Sequence, residues 1–230
     1  MRKLLVLLVV LLALAVAADR LGVRLAQTAI ADQLQRSAGL TTKPTVTIDG
    51  VPFLTQALSG RYERIEVGAT DLRRGGVHVT SLRADLTGLQ VPLGEALRGD
   101  VTRIQVSGVT ATALVTYADL AHSSGLVGVT ITATDGEVKV TGRITVRGRS
   151  VTATALSRVA LRGRNIAVTA RSIRVLGQSS PALLNALTGR LDLLVPVGTL
   201  PYGLSLTGLS VTQEGLLLQA NSGPTVLRAG

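Results

Sequence analysis

The stretch V51-P-F-L-T-Q-A-L-S-G-R-Y-E-R-I-E-V67 decides how the chain is read, because it recurs. VPLGEALRGDVTRIQV (91–106) repeats it with one residue fewer, and PALLNALTGR (181–190) repeats residues 52–61 without a gap. The shared pattern is Pro-x-(Leu)-x-x-Ala-Leu-x-Gly, followed by a strand. Proline at the first helical position presets φ, and glycine just past the end permits a left-handed cap. Each copy therefore predicts a helix of about one to two turns that feeds a strand. So short a helix does not stand alone in water. Its apolar residues must rest on something: Phe53, Leu54, Ala57 and Leu58 in the first copy, Leu93, Ala96 and Leu97 in the second, Leu183, Leu184, Ala186 and Leu187 in the third. Two destinations stay open. The helices are lids on the end of a curled sheet, or part of their apolar face lines a lipid pocket or dips into a membrane surface. Phe53, the chain's one phenylalanine, is the bulkiest candidate for the second role.

Outward from these repeats, apolar residues alternate with period two, the mark of half-buried strands. The alternation runs through Ile65-Val67, Val77-Val79, Leu82-Ala84-Leu86 and Ile104-Val106, then Val109 to Val115. It continues through Val129-Ile131-Ala133, Val138-Val140, Ile144-Val146, Val151-Ala153-Ala155 and Ile166-Val168-Ala170. Leu191 to Val197, Tyr202-Leu204-Leu206 and Leu216-Leu218 complete it. Parity changes at Ser81 and Gly108 predict irregularities. Asp135-Gly136, Arg147-Gly148-Arg149 and Arg162-Gly163-Arg164 read as turns. Residues 117–123 and 20–38 read as helical, the latter with Val23, Ala26, Ile30 and Leu34 on one stripe, Leu21 and Leu25 widening it, and Gly39 as the stop.

Arg2-Lys3 and the unbroken apolar run Leu4–Ala18 have the layout of an export signal, with Ala15-Val16-Ala17 as a small-x-small cleavage site. At about 1.5 Å per residue the run spans roughly 22 Å, short of a ~30 Å hydrocarbon core. Cleavage is the first reading, and an uncleaved anchor continuing into residues 20–38 is the other. With no cysteine in the chain, a lipoprotein anchor is excluded and no disulfide supports the fold. The expected organisation is a signal or anchor over 1–18, one β-rich domain over 19–222 and a tail over 223–230. The expected location is the outer side of the cytoplasmic membrane, in the periplasm or envelope.

Net charge is +10, and its placement matters more than its size. Between Val138 and Arg190 lie Lys139, Arg143, Arg147, Arg149, Arg158, Arg162, Arg164, Arg171, Arg174 and Arg190, without one Asp or Glu. Spread over a strand meander, these charges decorate a whole face, which is either a solvated sheet surface or a contact for anionic head groups. Export and an aromatic content of 2% argue against nucleic acid.

Chemistry-bearing patterns are sparse. His78 falls among the outward positions of a strand, and two lone histidines without cysteine make no metal site. Asp119, His122, Ser123 and Ser124 are close in sequence but lack a nucleophile elbow, so a polar helix end is the plainer reading. The acidic residues form no paired-carboxylate cluster, and VRGRS and LRGRN are hairpin turns rather than phosphate cradles. The chain thus reads as a non-enzyme without a cofactor.

GVPFLTQALSGRYERIEV (50–67), SLRADLTGLQVPLGEAL (81–97), VTYADLA (115–121) and LPYGLSLTGLSVTQEGLLLQA (200–220) together resemble the LmeA family of actinobacterial cell-envelope phospholipid-binding proteins. The likeness covers roughly residues 18–220. It implies envelope association, phospholipid binding and support of mannan elongation on lipid-anchored glycans. It also implies a fold like that of tubular lipid-binding proteins: α+β, mainly β, a curled antiparallel sheet with an N-terminal amphipathic helix and short capping helices.

Residues and resemblance converge on a protein that holds acyl chains in an aliphatic groove and anionic head groups near arginine. Candidate acyl contacts are Phe53, Leu54, Leu58 and Tyr62, with Leu183, Leu184 and Leu187 as repeat equivalents. Candidate head-group contacts are Arg143, Arg147, Arg162 and Arg164. Expected partners are anionic phospholipid, a membrane surface and envelope glycosyltransferases. The alternative is an envelope scaffold that stabilises such a glycosyltransferase without bound lipid.

Overall fold

The computed structural model describes residues 2–74, 77–98, 101, 103–123, 128–146, 149–163, 165–175, 178–179, 181–182, 193–196 and 200–228. The fold is α+β and mainly β, with a long N-terminal helix and antiparallel strands. Two compact units make up the chain: Met1–Ala69 with Arg83–Thr110 and Ser222–Gly230, and Thr70–Leu82 with Ala111–Asn221. Strands β2 (Arg61–Arg74), β3 (Val77–Gln90), β5 (Gly108–Thr116) and β13 (Gly215–Ser222) run from one residue set into the other.

In the first unit, α1 (Arg2–Ala38) is one continuous helix that ends at Gly39, whose φ is 62°. Its inward stripe runs through Asp19, Gly22, Val23, Ala26, Ile30, Ala31 and Leu34, which are buried or half-buried. This stripe meets β1 (Thr45–Asp49) and α2 (Phe53–Ser59). Leu21 and Leu25, expected to widen the stripe, lie outside it and are 60% and 72% exposed. At 100° per residue they fall on the far side from Asp19 and Ala26, so packing uses one narrow face only. β1 pairs with β2 in the register Val46↔Val67 and Ile48↔Ile65. β4 (Arg103–Val106) joins β3 at Gln90↔Gln105 and pairs along its length with β14 (Thr225–Arg228). Val46, Ile48, Phe53, Ile65, Leu89, Val106 and Val109 are buried here.

The parity change expected at Gly108 is a strand break: β4 stops at Val106 and β5 starts at Gly108, with Ser107 bonded back to Thr87 O at 2.9 Å. Proline also plays a different part from the one expected. Pro52 caps α2 from outside its first turn in extended conformation (φ −78°, ψ 141°), after a cis peptide bond from Val51. Gly60 supplies the left-handed cap (φ 65°). The second copy forms α3 (Leu93–Arg98) behind Pro92, while all of the third beyond residue 182 lies outside the described residues.

In the second unit, β6 (Thr130–Thr134), β7 (Glu137–Val146), β8 (Arg149–Arg162) and β9 (Asn165–Val175) form an antiparallel meander, extended by β10 (Gln178–Ser179) and β11 (Leu193–Pro196), both against β9. β8 slips register against β9 between Leu156 and Ser157. β12 (Ser205–Val211) pairs with β13 and touches β8. Tyr202, expected on a strand, sits instead in a short 3-10 turn (Pro201–Gly203) with φ 60°. Helix α4 (Tyr117–Ser123) follows β5 directly. Its Tyr117 is buried with Val138 and Leu216, and Leu120, Ile131, Ala133, Val140, Val159 and Val211 pack around them.

Candidate functional site

Register divides the β7–β9 meander into two unlike faces. Val138 lies opposite Ser157, Val140 opposite Ala155, Gly142 opposite Ala153, and Ala155 opposite Ile173. These side chains share one face, with Val151, Val159, Leu161, Ile166, Val168, Ala170 and Val175, because successive residues alternate sides. That inner face is aliphatic and rich in small residues. Its Val138–Val140–Val159 end is covered by α4, β12 and β13. Val151, Ala153, Ala155, Leu161 and Val175 are only half-buried.

The outer face carries the charge. Lys139, Arg143, Arg158, Arg162 and Arg174 project from it, all exposed, and Thr141 faces Thr154 across it, hydroxyl to hydroxyl at 3.3 Å. Glu137 is the acid at its edge, 3.9 Å from the Arg158 guanidinium and 3.7 Å from that of Arg171. No ion pair within 4 Å holds Lys139, Arg143, Arg162 or Arg174 to a described acid. Of the sequence's head-group candidates, Arg143 and Arg162 thus stand exposed on one face, set toward different ends of the meander. Arg147 and Arg164 lie outside the described residues.

The acyl candidates of the first repeat separate from one another. Phe53 is 7% exposed, its ring 6.3 Å from that of Tyr62 at an interplanar angle of 38°. Gly22 of α1 leaves room for it: a Cβ there would lie 3.4 Å from Phe53 Cε1 and 3.5 Å from Leu54 Cδ2. Tyr62 is half-buried, which holds its hydroxyl pKa above the usual value by desolvation. Leu58 is 73% exposed, and Val51 and Leu54 are exposed beside it. Leu183, Leu184 and Leu187 lie outside the described residues. Phe53 is therefore interior packing, while Val51, Leu54 and Leu58 form an apolar edge.

A separate cleft of about 680 Å³ opens in the first unit between Gln90, Pro92, Glu95, Arg103, Gln105, Thr225 and Val226. Its amides, carboxylate and guanidinium make it a polar hollow, unlike an acyl groove.

One constellation escaped the sequence reading. His78 points Nε2 at Asp71 Oδ1 and Nδ1 at Asp119 Oδ1, each at 2.6 Å. Asp119 also accepts from the hydroxyls of Thr80 (2.8 Å) and Thr116 (2.5 Å). The Asp119 N–H returns a bond to Thr116 Oγ1 at 3.3 Å, so the Thr116 hydroxyl caps α4 within Thr116-x-x-Asp119. That tetrapeptide was the available signal; the histidine, 41 residues away, had none. His122 is turned away and exposed, its Nδ1 on Ala118 O at 2.9 Å. The grouping Asp119–His122 that a triad would need is not made. The hydrogen bonds His78 donates to Asp119, and then to Asp71, raise its pKa above the ordinary value. The Thr116 hydroxyl, then His78 and Thr80, lower the Asp119 carboxyl to about 2. Among the described residues no three His, Cys, Asp or Glu side chains are arranged to hold a metal ion.

The protein is mainly β, with an aliphatic and an arginine-bearing face on one sheet and a long apolar N-terminal helix. Residues 17–221 match the LmeA-like phospholipid-binding family, and the chain belongs to it. No curated protein and no solved structure matches the chain.

Proposed function

We propose that this chain is a non-enzymatic phospholipid-binding protein of the cell envelope that lays acyl chains along the inner face of β7–β9 and meets anionic head groups with its outer arginines. The observation that carries this reading is the half-buried, small-residue stretch Gly142, Val151, Ala153, Ala155 and Val175. A face of that kind leaves aliphatic surface without full cover, and an acyl chain gains about 0.8 kcal/mol per buried methylene. Twelve methylenes would contribute roughly 10 kcal/mol before the cost of ordering the chain. Arg143 and Arg162 supply orientation and selectivity for a phosphate rather than most of the energy.

Helix α1 is long and apolar enough to cross a membrane, and Leu4 to Val16 are largely exposed. In this reading it delivers or anchors the domain at the outer side of the cytoplasmic membrane. The edge of Val51, Leu54 and Leu58 then touches the lipid surface near it. Phospholipid held there would support glycolipid or mannan synthesis by membrane glycosyltransferases.

Native mass spectrometry of the purified chain, with lipid extraction in parallel, tests the reading. Co-purified phospholipid that is lost on Ala153→Leu and Ala155→Leu supports it. A clean apo mass in mild detergent, unchanged after incubation with vesicles, overturns it in favour of a lipid-free scaffold.

A further inference from the structure

The His78 cluster lies within the second unit and has no part in the binding surfaces above. Carboxylate oxygens only accept hydrogen bonds. Both ring nitrogens of His78 face such oxygens at 2.6 Å, so both must donate, and only the imidazolium has two N–H groups. The bridge ties three elements together: Asp71 from β2, His78 and Thr80 from β3, and Asp119 from α4. The charged and titratable groups facing it are Asp71 and Arg73 on β2, whose guanidinium lies 3.8 Å from Asp71 Oδ1, and Asp119 on α4; His122 of the same helix is turned to Ala118 O. Thr116 of β5 completes the shell.

What the bridge holds down is α4. This helix has seven residues, too few to be stable without docking. Its Tyr117 and Leu120 cover Val138, Val140 and Ile131 at the closed end of the inner face, and the Tyr117 hydroxyl donates to Thr212 O at 2.7 Å.

We propose that His78 is a protonation-operated latch that keeps α4 seated over the apolar inner face and lets it lift when the imidazolium is deprotonated. Neutral imidazole has one N–H for two carboxylates. One of them is then left facing a lone pair at hydrogen-bond distance, and that side separates. A non-glycine residue at φ 56°, Asp71, holds one jaw in a sparsely occupied conformation that the bridge helps to retain. The latch makes access to the inner face pH-dependent: closed while His78 is an imidazolium, loosened as pH rises through its raised pKa. Its consequence for lipid rests on the acyl-face reading above; the latch itself does not.

Hydrogen–deuterium exchange of the α4 amides, on the full chain in detergent at about pH 6 and about pH 9, below and above the ordinary imidazole value of about 6.5, reads it directly. After correction for the intrinsic base-catalysed rate, α4 should exchange faster at the higher pH, by about tenfold for each unit by which the bridge raises His78. His78→Gln should exchange fast at both values, and Asp71→Asn should narrow the difference. Titration of the His78 ring by NMR in the unmodified protein is the second measurement, indifferent to whether a variant folds. A ring pKa at or below about 6.5, or α4 exchange that ignores pH, overturns the latch. Transfer of a fluorescent phosphatidylglycerol between vesicles separates the two claims. Loosening of α4 with no lipid bound at any pH leaves the latch and removes the acyl face. Lipid binding with α4 rigid at both pH values does the reverse.

Discussion

The backbone N–H of Leu54 donates to the carboxylate of Asp19 at 2.8 Å, so an acid on α1 caps α2 across 35 residues of sequence. Pro52 makes no side-chain cap, and α2 would otherwise leave this early N–H to water. Asp19 is 6% exposed, and its negative charge sits at the positive end of the helix. Asp19→Ala should therefore destabilise the first unit by about 1–2 kcal/mol, and Asp19→Asn by less, since the amide oxygen still accepts. Urea denaturation followed by circular dichroism checks both; equal midpoints for wild type and Asp19→Ala would contradict the cap.

Phe53 and Leu58 share α2 but should respond oppositely. Phe53→Ala removes a buried ring from between Gly22 and Tyr62 and should cost about 3–5 kcal/mol of stability. Leu58→Ser changes an exposed side chain and should leave the melting temperature within about 0.5 kcal/mol equivalent while weakening vesicle binding. Thermal melts and vesicle sedimentation separate the two roles. A stable Phe53→Ala variant would place the ring at a surface after all.

Gly60 and Gly39 both have left-handed φ, yet only one is confined. A Cβ on Gly60 would stand 2.7 Å from Val91 O, whose residue donates its N–H to Gly60 O at 2.8 Å. Around Gly39 nothing lies within 4 Å. Gly39→Ala should cost about 1 kcal/mol for the backbone alone, and Gly60→Ala clearly more, because main chain must move. Comparable losses for the two would show that Val91 yields freely.

Arg143→Gln and Arg162→Gln should each weaken binding to anionic vesicles by about fivefold, equivalent to ~1 kcal/mol per basic residue near such a surface. The effect should shrink in high salt and vanish on neutral vesicles. Loss that is the same on neutral vesicles would point to a fold defect instead.

Asp119 and His78 bound the cluster's stabilising window from opposite sides. The Asp119 carboxyl is lowered to about 2, so its contribution is present above the unfolded value of about 3.9 and is lost as pH falls through about 2. The His78 pKa is raised, so its contribution is present below about 6.5 and is lost as pH rises through the raised value. Denaturation midpoints against pH should fall on both flanks. Asp119→Asn should flatten the acid flank and lower the plateau; an unchanged profile would detach the cluster from stability.

Periodicity and end signals make much of this protein legible in its sequence. Pro52 and Gly60 bracket α2, Pro92 opens α3, Tyr117–Ser123 is helical as read, and β8 gives way to β9 at Gly163. These features depend on φ preferences and on neighbours a few residues apart, and such information is written locally. The split of that meander into an aliphatic side and an arginine side is also legible, since alternation alone assigns it.

Tertiary structure decided the rest. It buried Phe53 and left Leu58 in the open, although the repeat treats both as apolar. It turned Leu21 and Leu25 away from the packed side of α1, set Asp19 on Leu54, and gave Asp119 a histidine from β3 rather than the one three residues along its own helix. Each choice depends on which surfaces meet across tens of residues, and on whether a charge finds a donor there. A one-dimensional pattern ranks residues by chemistry, but only the folded chain fixes which of them lose their water.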